Sequence, residues 1–211
     1  MGAIDGDIGK VKEFYFDDKS WSVRYLVVRT GAWLFGREVL ISPDSVAKNS
    51  SRHGRFPVNL VKEQIRASPD IDTQKPISRQ HEVALYGHYP WQPYWVSGFY
   101  AGGLWEASNE SSVIDEKIII MADDADNIAG EDPHLRCTRE LTGYMVHAID
   151  GETGYIKDLI IDDEWRIQYL IVDTRDWFGG KKVLIETDHI KHVQWDKSIA
   201  FFGSASDDHF A

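Results

Sequence analysis

The chain repeats itself. Ala3-Ile4-Asp5-Gly6-Asp7-Ile8-Gly9 returns as Ala148-Ile149-Asp150-Gly151-Glu152-Thr153-Gly154, and Asp17-Asp18 returns as Asp162-Asp163 at the same offset. Ser20 has no counterpart. Beyond it Trp21 aligns with Trp165, Tyr25-Leu26 with Tyr169-Leu170, Thr30 with Thr174, Trp33 with Trp177, Gly36 with Gly180 and Val39-Leu40-Ile41 with Val183-Leu184-Ile185. From Ala3 to Val46, 19 of 43 aligned pairs are identical, where chance gives about two or three. Duplication follows, and whatever the first copy folds into the second must fold into as well.

Each copy reads as all-β. Lys10 to Phe16 and Val23 to Arg29 are β-branched and aromatic runs, and Asp17-Asp18-Lys19-Ser20 between them has hairpin-loop chemistry. A hairpin loop is where a one-residue deletion is tolerated, which accounts for Ser20. Glu38 to Ile41 makes a third strand, entered from a Trp-Leu-Phe-Gly corner and stopped by Pro43. Strands this short, with turns at this spacing, predict a small barrel. Leu141 to His147 is the expected opening strand of the second copy. Nothing ahead of Ala3 offers one to the first, so its edge is expected to be filled by a strand from elsewhere in the chain, for instance Lys117 to Met121, or by a second molecule. The second copy in turn ends at Phe201-Phe202 and a short polar tail.

Between the copies the period changes. Val61 to Ala67 predicts a short helix with Asn59 as cap and Pro69 as stop, and Ser78 to Tyr86 a second one. Residues 86 to 105 then hold eight aromatics, about three times the share that the chain average of 12% gives. Asn109 to Asp132 is polar and acidic except for Ile118 to Met121 and reads as a linker.

Asp-Gly-x-x-Gly, an aliphatic strand, Asp-Asp, Trp-x-x-x-Tyr-Leu, Thr, and a Trp corner before Val-Leu-Ile together resemble the PRC-barrel family. The second copy carries the pattern as Asp150 to Gly154, Asp162-Asp163, Trp165 to Thr174 and Trp177 to Ile185; the first carries it from Asp5 to Ile41. The resemblance implies a mainly β chain of two small PRC-type barrels joined by a helical, aromatic-rich linker. The expected boundaries are 1–60 for the first barrel, 61–132 for tail and linker, 133–203 for the second barrel and 204–211 for a polar tail. The cytoplasmic domain of the photosynthetic reaction-centre H subunit and the C-terminal domain of the ribosome maturation factor RimM are similar. Both use the barrel as a docking surface.

Charge and composition narrow the partners. With 23 basic and 34 acidic side chains the formal net charge is −11, a field that repels phosphate backbones and anionic lipid, so nucleic acid is disfavoured as a partner. No apolar run reaches the ~18 residues of a membrane span. A single cysteine, Cys137, and a start without signal-peptide character predict a cytoplasmic location.

Chemistry is sparse. His189 and His192, or His81 and His88, lack a third metal ligand at a diagnostic spacing. Asp123 to Asn127 starts like a calcium loop, but Ile128 stands where a ligand should be. Cys137 has no activating neighbour in sequence, and the paired aspartates fit turns better than acid–base work. No cofactor is expected. Two groups remain as contact candidates. Trp33 with Arg37, and Trp177 with Arg175 and Lys181, put a corner tryptophan beside cations, a pattern that suits a partner contact or packing across a barrel end. Trp91, Tyr94, Trp95, Phe99, Tyr100 and Trp105 suit an interface, between barrels or with another molecule, better than a ligand groove. The leading expectation is a non-catalytic scaffold that docks a protein partner, which could be a second copy. An RNA-processing or ribosome-maturation accessory role of RimM type comes next, and a small-molecule or metal-dependent enzyme third.

Overall fold

The structure is a computed structural model and describes residues 1–47, 56–69, 77, 79–89, 91, 94, 135–148, 151–174 and 180–203. Its elements in chain order are β1 (Gly2–Ala3), β2 (Gly6–Asp7), β3 (Gly9–Asp17), β4 (Val23–Thr30), β5 (Glu38–Ile41), α1 (Lys62–Arg66), α2 (Arg79–His88), β6 (Leu135–Cys137), α3 (Thr138–Leu141), β7 (Met145–Ala148), β8 (Gly151–Ile161), β9 (Ile167–Asp173), β10 (Lys182–Glu186), β11 (Ile190–Gln194) and β12 (Ile199–Phe202). The chain is mainly β, as the resemblance implies.

Two compact units form, and they are not two consecutive blocks of sequence. One holds Met1–Lys12 with Leu26–Pro133; the other holds Glu13–Tyr25 with His134–Ala211. The tip of the first repeat's hairpin therefore belongs to the unit built by the second repeat.

In the first unit β4 and β5 pair antiparallel, Val27 opposite Leu40, and every residue from Leu26 to Val28 and from Val39 to Ile41 is fully buried. The expectation that nothing opens this repeat is corrected. Gly2–Ala3 pairs with Gly6–Asp7, and Gly2 bridges Pro57 in parallel while Val58 bridges Val46 antiparallel. The second repeat makes the same pairings at equivalent positions, His147 with Phe201 in parallel and Ile190 with Phe202 antiparallel. Two residues are enough because Gly2 both donates to Phe56 O (3.0 Å) and accepts from Val58 N (2.8 Å), closing the barrel with backbone alone. Helix α1 follows as expected, but Asp5 rather than Asn59 satisfies its first turn, its carboxylate accepting from Lys62 N at 2.9 Å. The next helix runs on through Gly87 to His88, whose Nε2 lies 2.7 Å from Gln64 O.

In the second unit six strands form one sheet in the order β10-β9-β8-β7-β12-β11, antiparallel except for β12 with β7. Met145 to Ala148 is the opening strand, but Leu141 ends the short helix α3 instead of starting it. The sheet encloses Val146, Ile156, Ile167, Leu170, Val172, Ile185 and Ala200, and Phe16, Trp21 and Val23 of the first repeat complete this core. The open edge at Tyr15–Asp17 is filled by β6, with Tyr15 opposite Cys137 and Asp17 opposite Leu135. The strand does come from elsewhere in the chain, as Leu135–Cys137, and Leu135 is buried to 3% exposure. Lys117 to Met121 lies outside the described residues.

The two hairpin ends meet as equals in this unit. Ser22 bridges its counterpart Arg166, Val23 N donates to Trp165 O (2.7 Å), and Ile167 N donates to Trp21 O (2.9 Å). Each bond is the repeat-equivalent of the other, so a local two-fold relates the two hairpin ends.

Candidate docking surfaces

The shared motif residues turn out to build the barrel. Gly9 and Gly154 lie where β3 and β8 cross close to Arg29 O and Asp173 O, and a Cβ at either would fall inside the carbonyl. Thr30 donates both its N–H (2.9 Å) and its hydroxyl (2.8 Å) to Arg37 O, and Thr174 makes the same two bonds to Lys181 O at 3.0 and 2.8 Å. Asp17 accepts from Lys19 N and Ser20 N and takes the Arg24 guanidinium on its other oxygen; Asp162 accepts from Glu164 N and Arg166 N and takes the Gln168 amide. For both aspartates burial raises the pKa, but the backbone N–H bonds and the neighbouring donors outweigh it and hold the carboxyl below its ordinary value. They are turn carboxylates, fully occupied.

Cys137 is a poor nucleophile. Burial first, and the carboxylate of Glu13 that its thiol donates to at 2.9 Å, push its pKa up to about 12. Arg139 closes the group from the far side, with Nε 3.2 Å from the same Glu13 oxygen. Among the described residues no three His, Cys, Asp or Glu side chains converge as a metal would require, and no helix is long and apolar enough to cross a membrane.

The first corner holds the chain's own tail. Trp33 sits in the 3-10 turn Ala32–Leu34 and donates Nε1 to Ile8 O at 2.7 Å, while Lys62 Nζ and Arg66 Cζ lie 5.3 and 5.9 Å from its ring. Arg37 reaches Arg66 O at 3.1 Å and Ser68 O at 2.6 Å. Both residues thus bind the segment after the barrel. Between them stands a residue that sequence reasoning passed over: Phe35, 97% exposed and at φ 54°. A bulky side chain in the left-handed region is strained, and no burial offsets the strain here. The signal was readable in the alignment, where Gly179 is the counterpart of Phe35. In the second corner Lys181 is exposed; Arg175 and Trp177 lie outside the described residues.

The aromatic segment begins inside the first unit. Trp91 is buried, donates Nε1 to Ser45 Oγ at 2.6 Å, stacks on Tyr89 at 4.1 Å and meets Tyr86 edge-on at 5.8 Å. Tyr94 donates its hydroxyl to the fully buried Glu82 at 3.0 Å. Trp95, Phe99, Tyr100 and Trp105 lie outside the described residues.

The outer face of β8, β9 and β10 mixes exposed apolar side chains with the exposed Asp158, Lys182 and Glu186. Leu184 is 57% exposed, Tyr155 45% and Ile160 39%, with Tyr169 and Ile171 half-buried among them.

No curated protein matches the chain. The PRC-barrel domain model matches it twice, over residues 2–65 and 138–200, the two stretches that carry equivalent strand pairings, and the chain therefore belongs to the PRC-barrel domain family.

Proposed function

We propose that the chain is a non-catalytic docking module that binds a protein partner in the cytoplasm, with the first-repeat corner as its contact. Phe35 carries the reading. It is an aromatic anchor held almost entirely in solvent at a conformational cost of about 1 kcal/mol, on a turn pinned from both sides by Trp33 and Arg37. Strain of this kind is kept where it serves a contact, and rigid aromatic anchors dominate binding energy at interfaces. PRC-barrel domains are generally non-catalytic modules, and the groups that could do chemistry are tied up as turn carboxylates and a protonated thiol. A ribosome-maturation accessory role is the second reading. The net charge of −11 directs it toward a ribosomal protein rather than RNA.

The test is affinity purification with quantitative mass spectrometry, wild type beside Phe35→Gly. A partner retained by wild type and lost from Phe35→Gly supports the reading, and a catch dominated by ribosomal proteins selects the second version. A catch that Phe35→Gly leaves unchanged overturns the corner as the contact.

A further inference from the structure

The hairpin end that completes the second unit makes a contact with the symmetry of two molecules. Val23 N donates to Trp165 O at 2.7 Å and Ile167 N donates to Trp21 O at 2.9 Å, on either side of the Ser22–Arg166 bridge, and each bond is the repeat-equivalent of the other. Both members keep a strained tryptophan at the contact, Trp21 at φ 57° and Trp165 at φ 64°. Equivalent surfaces meeting about a local two-fold form an isologous contact, the kind that separate copies of one chain make. Here one chain makes it with itself. The donated part, Glu13–Tyr25, lies on β3, β4 and the loop between them, and the rest of the unit, His134–Ala211, follows only after Leu26–Pro133. The receiving core depends on it. Phe16 and Trp21 are buried there to 0% and 5% exposure, Phe14 N donates to Thr138 Oγ1 at 3.1 Å, and the Cys137 thiol donates to Glu13 at 2.9 Å.

None of these bonds depends on which chain supplies the hairpin. We propose that two copies of this chain exchange hairpin ends, the Glu13–Tyr25 segment of each completing the second unit of the other. The occupant is fixed by the site itself, since the shape, the backbone bonds and the polar partners it offers are those this hairpin already fills. Each chain breaks its own contact and remakes the same contact with its neighbour, so the side-chain contributions cancel and effective concentration sets the balance. Two closed monomers lose two internal closures, and the dimer regains one of them after a single encounter. Its Kd therefore approximates the effective concentration of a hairpin end at its own chain's site, on the order of 1 mM. The closed monomer prevails in protein folded at micromolar concentration. The exchanged dimer forms where unfolded or half-made chains are crowded together, before each hairpin has found its own second repeat. Once formed it persists, because reversal requires Phe16 and Trp21 to leave a packed core.

Refolding the full chain at different concentrations tests this. Ser22→Cys with Arg166→Cys puts a thiol on each member of the bridge, in a background of Cys137→Ser; a facing pair without mutual hydrogen bonds has a Cα separation of about 4.5 Å, which accepts a disulfide. Chains unfolded in urea under reducing conditions are refolded at about 2 μM or about 300 μM and oxidised only once folded. A dimer linked by disulfides between chains should hold below about 1% of the protein at the lower concentration and about a third at the higher. Either single-cysteine variant should stay unlinked at both. Two differently tagged wild-type chains refolded together at the higher concentration should give mixed dimers, and the same chains folded apart and then mixed should give none over minutes. This arm carries no substitution at the contact, so it decides the matter even where the cysteine pair impairs folding. Absence of dimer at the higher concentration, a dimer whose disulfides lie within single chains, or a linked dimer from a single-cysteine variant overturns the proposal. Mixed dimers from prefolded chains overturn it too, because a surface contact exchanges freely and a swapped core does not. Phe35 lies outside the exchanged hairpin and is read by copurification, so either idea can fail while the other stands.

Discussion

Gly9 and Gly154 mark the closest backbone crossings in their barrels, each against a carbonyl of the next strand. Because backbone rather than a yielding side chain opposes the added methyl, Gly9→Ala and Gly154→Ala should each lower unfolding free energy by about 2–4 kcal/mol, measured by urea denaturation. The turn aspartates give a pH signature. Their folded pKa values are lowered, so their contribution is complete above the unfolded value near ~3.9 and is lost as pH falls through the folded one. Asp17→Asn and Asp162→Asn, which keep an acceptor but lose the charge, should each cost about 1 kcal/mol at neutral pH. The difference from wild type should close as pH falls from the unfolded value near ~3.9 through the folded one; a constant difference across that range would show that the charge is not what matters. The two aspartates were legible in the sequence because a duplicated Asp at a strand end has few uses besides a turn, whereas Gly9 and Gly154 showed only as a repeated pair until the carbonyls beside them were placed. Phe35 was legible only through its alignment with Gly179, because exposure and a positive φ are not written in the residue type itself.

Among the elements, the hairpin from β3 to β4 has the strongest consequences. Its tip puts Phe16, Trp21 and Val23 into the second unit's core, with Phe16 stacked on Trp21 at 5.4 Å. Polar bonds fix it there: Trp195 Nε1 donates to Asp18 at 2.9 Å, Arg136 lies 3.7 Å from the same carboxylate and 4.6 Å from the Trp195 ring, and Phe14 N donates to Thr138 Oγ1 at 3.1 Å. A fragment of residues 134–203 therefore lacks part of its own core. It should show strand signal in the far ultraviolet without native near-ultraviolet signal, whereas the full chain shows both. Trp21→Ala in the full chain should cost about 3–5 kcal/mol. The sequence announced the hairpin and its loop correctly, yet could not say which unit the loop would join. Local periodicity reports which residues are apolar and leaves open which of two near-identical cores receives them. The reverse happened at the barrel ends. Residues 47–58 share little with 191–202, but Gly2, Val46, Pro57 and Val58 reproduce the pairings of His147, Ile190, Phe201 and Phe202. Backbone bridges conserve geometry while leaving side chains free to change.

At the scale of the molecule, a net charge of −11 and a sequence pI of about 5.1 set the long-range field. Single-stranded or duplex RNA should give no mobility shift at physiological salt, since binding driven by released counterions needs a basic surface. A shift that weakens steeply with added salt would reveal such a surface and move the ribosome-maturation reading from protein to RNA. Charge sum and family were both legible from composition and motif. Which surfaces remain uncovered was not, because it depends on the difference between two copies whose face residues, Val27 and Leu40 against Ile171 and Leu184, look alike on the page.

The hairpin tip also sets a timetable for synthesis. Phe14 waits for a partner 124 residues further along the chain, and at ribosomal speeds of roughly 5–20 residues per second that is a delay of roughly 6–25 s. During that interval Phe16 and Trp21 have left the ribosome with no core to enter. Completion of the second repeat is thus the event that retires an exposed aromatic hairpin, and a translation stall inside the connecting segment would leave it open to aggregation.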